Sequence, residues 1–252
     1  MKKILVLAFL FFSINLNASL TIDPYGVEIK TDRNSSFSSK WKVKNNYARE
    51  IKLNISSLEW DSYKANKNIP VNSWLKIVPD EITLGQGESK EIFYTADAGG
   101  QMQGSVLAKV TFTVPPERDG GVIVKMSFPV HMIIKGTEKV EFNVENLSIS
   151  SVGKSAKLNV TVKNTGNILI KPYGTADIYK KKKVAASVFI ESDHSVFTDS
   201  QDSYSVNLPD NLKPGKYTAQ VSIKALGYES YAPDSKKAIQ FRVKKDGSII
   251  SQ

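Results

Sequence analysis

The sequence contains no cysteine and only two histidines among its 252 residues. The lack of cysteine excludes a disulfide scaffold, a thiolate metal site, an iron–sulfur cluster and a cysteine nucleophile. Two histidines argue against a multi-histidine metal centre, and no acidic run has the spacing of a calcium-binding loop. We therefore expect a protein that uses no cofactor and catalyses no reaction.

Long apolar runs are also scarce, and the one at the N-terminus is short. Lys2 and Lys3 precede an apolar run from Ile4 to Phe12, and Ala18 is a small residue before a plausible cleavage point. A membrane span needs roughly 20 apolar residues, whereas this pattern is typical of a secretory signal peptide. We expect residues 1–18 to be a cleaved signal and the remaining chain to be periplasmic. Extracellular or cell-surface placement is the alternative.

Acidic residues are fewer than basic ones, 25 against 34, which gives a net charge of +9. Loss of Lys2 and Lys3 with the signal would lower this to +7. The strongest cluster is formed by four consecutive lysines, Lys180, Lys181, Lys182 and Lys183, between two apolar stretches. A solvated hairpin turn is one interpretation, and weak contact with an anionic surface such as lipid headgroups or an acidic wall polymer is the other. Without interleaved aromatic residues, the cluster does not indicate nucleic-acid binding.

Helical periodicity is almost absent after Ser19, and period-two alternation rich in Val, Ile, Thr, Phe and Tyr takes its place. Strands joined by short Gly, Pro, Asn and Asp turns are typical of antiparallel sandwiches. The fold class predicted is all-β, with two immunoglobulin-like β-sandwich domains in tandem. We place them at residues 19–135 and 137–245, with a flexible tail at 246–252.

A long hairpin closes the first predicted domain. Asp119-Gly120 is a strong turn signal between the strand ending at Val114 and an alternating strand from Val122 to Ile134. Pro129 lacks a backbone N–H, so it cannot donate to a neighbour on the side that its nitrogen faces. The strand is therefore predicted to be a sheet edge over part of its length.

Several of these features occur in the order found in a known family. They are the signal peptide, the segment from Trp74 to Pro79, the turn Leu84-Gly85-Gln86-Gly87-Glu88, and Val114-Pro115-Pro116 before the final strand. Over about 115 residues the first domain resembles the periplasmic pilus-assembly chaperones of the PapD type. The second domain, with Asn164-Thr165-Gly166-Asn167 and Leu212-Lys213-Pro214-Gly215, resembles bacterial immunoglobulin-like or CARDB-like modules.

The resemblance implies a mechanism of strand addition to a secreted or pilus-type subunit. In such a mechanism, backbone hydrogen bonds give affinity and alternate side chains fill a groove of the partner. The lending residues here would be Val122, Val124, Met126 and Phe128. The alternative is that this face only fills the core of its own domain.

The family also holds the terminal carboxylate of its subunit with a basic pair in a cleft. By alignment to Lys135, His131 falls at the position of the cleft lysine, and Tyr25 or Gly26 falls at that of the arginine. A histidine binds a carboxylate well only when protonated, and its reference pKa is about 6.5. The basic pair is therefore not reproduced at these positions.

Two functional hypotheses follow. The first is a non-catalytic, periplasmic, chaperone-like protein that adds a strand to secreted subunits. The second is a structural or adhesive immunoglobulin-like protein that binds an envelope or surface partner. The letters of a hydrolase triad in Asp193-His194-Ser195 do not favour an enzyme, because neighbouring residues on an extended chain alternate faces.

Overall fold

The computed structural model describes residues 20–60, 69–152, 155–230 and 234–251. The predicted signal peptide and its cleavage point lie outside the described residues. Nearly all regular structure in these ranges is β, with one short 3-10 turn at Val71–Ser73. Within the described ranges, no helix is long and apolar enough to cross a membrane.

Among the residues that the structure describes, nine strands form the first sandwich. They are β1 (Leu20–Asp23), β2 (Val27–Thr31), β3 (Ser36–Asn45), β4 (Ile51–Glu59), β5 (Leu75–Val78), β6 (Glu81–Leu84), β7 (Ser89–Asp97), β8 (Ser105–Val114) and β9 (Val124–Ile134). One sheet has the order β1-β3-β7-β5 and the other β2-β9-β8-β4-β6.

Eight strands form the second sandwich within the described part of the chain. They are β10 (Phe142–Val152), β11 (Ser155–Asn164), β12 (Pro172–Lys180), β13 (Lys183–Glu191), β14 (Gln201–Asn207), β15 (Gly215–Ala225), β16 (Ser235–Val243) and β17 (Ile249–Ser251). Its sheets have the orders β10-β11-β14 and β13-β12-β15-β16-β17.

The strand orders are those of immunoglobulin-like domains. In the first sandwich, β1-β3-β7-β5 matches the A-B-E-D sheet of such a domain, and β9-β8-β4 matches its G-F-C sheet. The second sandwich repeats the A-B-E part with β10-β11-β14 and the G-F-C part with β16-β15-β12. The predicted fold class is therefore confirmed.

Alternation within each strand directs one set of side chains into the space between the two sheets. In the first sandwich, Trp41 of β3 lies at the centre of the core and contacts rings of the opposite sheet. Its ring centroid is 5.8 Å from Phe112 of β8 and 5.6 Å from Phe128 of β9. In the second sandwich, Tyr217 and Phe241 stack at 5.4 Å inside the core.

The connections agree with the turn chemistry of the sequence. Gly120 adopts a φ of +77° in the loop between β8 and β9, as the Asp-Gly signal predicts. Lys181 and Lys182 form the turn that joins β12 to β13. β9 ends at Ile134 and β10 begins at Phe142, so the residues between them link the two sandwiches.

The chain end differs from expectation. Instead of a flexible tail from residue 246, residues Ile249–Ser251 form β17 and pair with β16. Gly247, at a φ of +84°, turns the chain back, and Ile249 is buried in the second core. Burial of this apolar side chain stabilises a strand that the polar sequence before it does not suggest.

Candidate functional site: an open strand edge and a basic cleft

Strand β9 has two halves with different neighbours. β8 pairs with it along its whole length, from Val124 to Ile133. On its other side, β2 runs parallel to it but pairs only with residues Val130 to Ile134. Among the described residues, no strand pairs with the stretch from Val124 to Pro129 on that side, so this stretch is an open edge. The edge predicted from Pro129 is confirmed.

Hydrogen bonds show which backbone groups face the open side. The N–H of Ile134 donates to Gly104 next to β8 at 2.9 Å, and the N–H of Lys135 donates to Thr31 of β2 at 2.9 Å. Backbone groups alternate sides along an antiparallel strand, so even-numbered residues of β9 bond to β8. The backbone groups of Lys125 and Ser127 therefore point to the open edge. The nitrogen of Pro129 also faces the open side. Its missing N–H therefore costs no hydrogen bond to β8.

Tyr25 covers the inner end of the open edge. Its hydroxyl donates to the backbone carbonyl of Ser127 at 3.2 Å, and its ring lies 5.4 Å from that of Phe128. Gly26 follows at a φ of +84°, where a side chain would be strained, and runs close to Pro129. With 66% of its surface exposed, Tyr25 rests on the edge from outside and is not part of the core.

The four predicted lending residues are not equivalent. Val122 lies two residues before β9 in the loop and is 82% exposed. Val124 and Met126 are half-buried and contact the fringe of the core. Phe128 is buried against Trp41, so its side chain fills the core of its own domain.

The two predicted cleft residues are not brought together. His131 pairs in register with Glu28 of β2, whereas Tyr25 contacts Ser127 and Phe128. Nδ1 of the nearly buried His131 is 3.6 Å from a carboxylate oxygen of Glu28, and the ring lowers the pKa of that carboxyl. His131 therefore faces an acid of its own chain, which opposes use of the ring as a carboxylate anchor.

A cavity between the sandwiches, which we name the basic cleft, is lined by two lysines that were not predicted from the sequence. Lys30 of β2 and Lys135, just after β9, lie with Glu138 and Tyr228 around a space of about 610 Å³. The ammonium of Lys30 is 5.9 Å from the ring centroid of Tyr228, which belongs to the second sandwich. The signal in the sequence was the position of Lys135 itself, directly after the last strand of the first domain.

Acidic neighbours moderate the charge of this pair. Lys30 lies 3.4 Å from Glu28, and Lys135 lies 3.8 Å from Asp32. All four side chains of these ion pairs are more than half exposed, so the pairs are weak and can be exchanged for another anion.

The sequence Asp193-His194-Ser195 does not fold into a hydrolase-like triad, because both ring nitrogens of His194 face carboxylates. His194 lies between Asp193 and Asp202, and its carbonyl, not its ring, accepts the hydroxyl of Ser192. In the described part of the chain, no cluster of three or more His, Cys, Asp or Glu residues is placed to hold a metal ion.

Comparison with known proteins gives likeness in structure only. No family model matches the chain, and no curated protein matches it. The chain is similar to the class 5 fimbriae chaperone CfaA, with 16% identity, a TM-score of 0.48, and coverage of 88% of this chain and 98% of that one. It is similar to the E. coli chaperone DraB, with 14% identity, a TM-score of 0.42, and coverage of 90% and 96%.

A third similar structure is a chain of the CsuC–CsuE chaperone–tip adhesion subunit pre-assembly complex of Acinetobacter baumannii. Its identity is 13% and its TM-score 0.44, with coverage of 88% of this chain and 98% of that one. At such identities, function has to be argued from the residues of this chain.

Proposed function

We propose that this protein is a periplasmic, non-catalytic chaperone that binds a secreted, pilus-type subunit by strand addition along residues 124–127 of β9. The observation that carries the proposal is the open edge. A strand with unpaired backbone groups and alternating apolar side chains is a template for another chain.

Both components of strand addition are available at this edge. Lys125 and Ser127 present backbone groups outward, while Val124 and Met126, which alternate with them, supply half-buried apolar side chains. An incoming strand would displace the Tyr25 hydroxyl from Ser127, which exchanges one exposed hydrogen bond for a ladder. Phe128 stays in its own core, so the lending segment is shorter than the four residues predicted.

The basic cleft fits the terminal carboxylate that the family resemblance implies. In the proposed complex, Lys30 and Lys135 take the part assigned by sequence to Tyr25 and His131. Both lysines line the same cavity, next to the end of β9. A carboxylate there would replace Glu28 and Asp32 as their partner.

The test is co-expression with candidate secreted, β-rich subunits, followed by affinity purification of the chaperone. Val124→Asp combined with Met126→Asp is expected to abolish recovery of the subunit, because two carboxylates cannot enter an apolar groove. Lys125→Pro is expected to weaken it, since that change removes an outward N–H and leaves the bonds to β8 intact. Lys30→Gln with Lys135→Gln is expected to lower recovery.

Val184→Asp combined with Phe189→Asp is the matched control. Both residues are exposed on β13, an edge strand of the second sandwich, so the same chemical change is made on an edge that the proposed strand addition does not use. Unchanged recovery with the β9 double variant would refute strand addition. It would favour the structural or adhesive alternative, in which β9 only completes its own domain.

A further inference from the structure

The end of the second sandwich farthest from the linker carries a concentrated positive charge. Lys180 pairs with Lys183 across the β12–β13 turn, and Gly215 at the start of β15 pairs with Val243 at the end of β16. The opposite ends of β12 and β15 meet where Pro172 pairs with Ala225, on the side of the linker. Three separate connections thus converge at this end, which we name the basic tip.

The basic tip holds most of the charge imbalance of the chain. Its cations are the four lysines at 180–183, Lys213, Lys216, Arg242, Lys244 and Lys245, and its acids are Asp210 and Asp246. Nine cations against two acids give +7. Residues 137–252 as a whole contain 17 basic and 12 acidic residues, or +5, so the rest of the second sandwich carries −2.

The structure leaves these cations available to a partner. All except Lys180 are exposed, and among the described residues none of the nine forms an ion pair. Asp246 is held by Ser248, whose N–H and hydroxyl donate to its carboxylate at 2.9 and 2.7 Å, and its charge acts on Lys244 without an ion pair between them. Nine like charges against two acids raise the local potential and attract anions.

Lys180 has a different part, since it holds two of the connections together. Its ammonium donates to the carbonyl of Pro214 at 2.9 Å and lies 5.2 Å from the ring centroid of Tyr217. Gly215 allows this approach, because a Cβ there would lie 2.8 Å from Cε of Lys180. Lys180 thus links the loop before β15 to the β12–β13 turn.

We infer that the basic tip docks this protein on the surface of an anionic lipid bilayer. The cations come from three connections spread over the end of a sandwich, an arrangement that suits an extended charged plane. Val184 and Ile250, 54% and 40% exposed, lie beside Lys183 and Arg242 and can enter the headgroup region. The inference does not depend on strand addition, because β9 belongs to the other sandwich.

The test is co-sedimentation of the purified chain with vesicles of phosphatidylcholine, with and without phosphatidylglycerol. Binding is expected only to the anionic vesicles and is expected to weaken as NaCl is raised. Lys181→Glu, Lys182→Glu and Lys183→Glu together are expected to reduce binding at least about tenfold, since each lysine near anionic headgroups contributes a several-fold factor.

The matched control reverses three exposed lysines of the first sandwich, Lys42→Glu, Lys44→Glu and Lys76→Glu, and is expected to bind like the unchanged chain. Equal loss in both variants would mean that net charge alone acts, and would overturn the inference. Linear polyphosphate at matched ionic strength is the second arm. Binding to polyphosphate without binding to anionic vesicles would also overturn it. If the triple lysine variant loses vesicle binding but still recovers the subunit normally, lipid docking is separated from the proposed function.

Discussion

At the scale of single residues, each sandwich contains a buried asparagine with the same structural role. Asn45 ends β3, and its amide donates to the carbonyls of Arg49, Leu84 and Gly85 at 2.8–3.0 Å. Asn164 ends β11, and its amide donates to Ile168 and Val196 at 2.7 and 3.1 Å. Each side chain ties the turn after its strand to a neighbouring segment, because buried backbone carbonyls need a donor.

His194 shows how the fold changes the meaning of a sequence motif. Its Nδ1 lies 2.5 Å from Asp193 and its Nε2 lies 2.6 Å from Asp202, so both ring nitrogens donate when the ring is protonated. The hydrogen bond to Asp193, together with the charge of Asp202, raises the pKa of His194. The sequence shows Asp193 beside the histidine, but only the packing of β14 brings in Asp202.

A pH dependence of stability follows from this raised pKa. The contribution of the protonated ring is complete below the unfolded pKa of about 6.5 and is lost as pH rises through the higher folded value. The free energy of unfolding, measured by urea denaturation, is expected to fall across that window. His194→Gln is expected to remove this step.

An NMR titration of the His194 ring checks the cause. Asp202→Asn is expected to lower the midpoint, whereas Asp199→Asn, an exposed acid in the same loop, is expected to leave it in place. A midpoint at or below 6.5 in the unchanged chain would contradict the structure.

At the scale of elements, β9 is one strand with two roles. The alternation of its sequence predicted a single apolar face from Val122 to Ile134. Burial along that face depends on the opposite sheet, because Trp41 of β3 reaches Phe128 but the core thins toward Val124. The strand and its edge could be predicted from residue types. The point where its own core ends could not, since it depends on contacts with a distant strand.

Because β9 has these two roles, truncation of Phe128 and truncation of Met126 are expected to lower the free energy of unfolding by different amounts. Phe128→Ala is expected to lower the free energy of unfolding of the first sandwich by about 3–5 kcal/mol, because it opens a cavity against Trp41 and Phe112. Met126→Ala is expected to cost about 1–2 kcal/mol, because the side chain is only half-buried. Urea denaturation checks both values, and equal costs would show that the lending segment is part of the core.

At the scale of the whole molecule, Asn167 joins the two sandwiches. Its carbonyl accepts the N–H of Ser105 at 3.1 Å, and its side chain bonds the linker at Thr137 and Lys139, at 2.9 and 2.6 Å. The sequence indicated only a strand connector at 164–167. Its contact with the first sandwich arises because the β8 end and the linker meet there.

Gly104 makes this junction possible and is the place to test it. A Cβ at this residue, which has a φ of +67°, would lie 2.2 Å from the carbonyl oxygen of Asn167. Gly104→Ala is expected to change the small-angle scattering profile, because the junction has to open, while circular dichroism keeps its strand signal. Gly99→Ala is the control, since its Cβ would meet only Met102 at 3.9 Å. An unchanged profile in the Gly104 variant would refute the junction.

The sequence by itself determined the all-β class and the edge at Pro129, because alternation and the missing proline donor are local properties of the chain. The missing cysteines likewise excluded thiol chemistry without any structure. Tertiary structure decided the rest. It brought Lys30 to the same cavity as Lys135, gave His131 an acidic neighbour and gathered nine cations at one end. Distances between residues far apart in the chain are set by sheet register and packing, which no local pattern encodes.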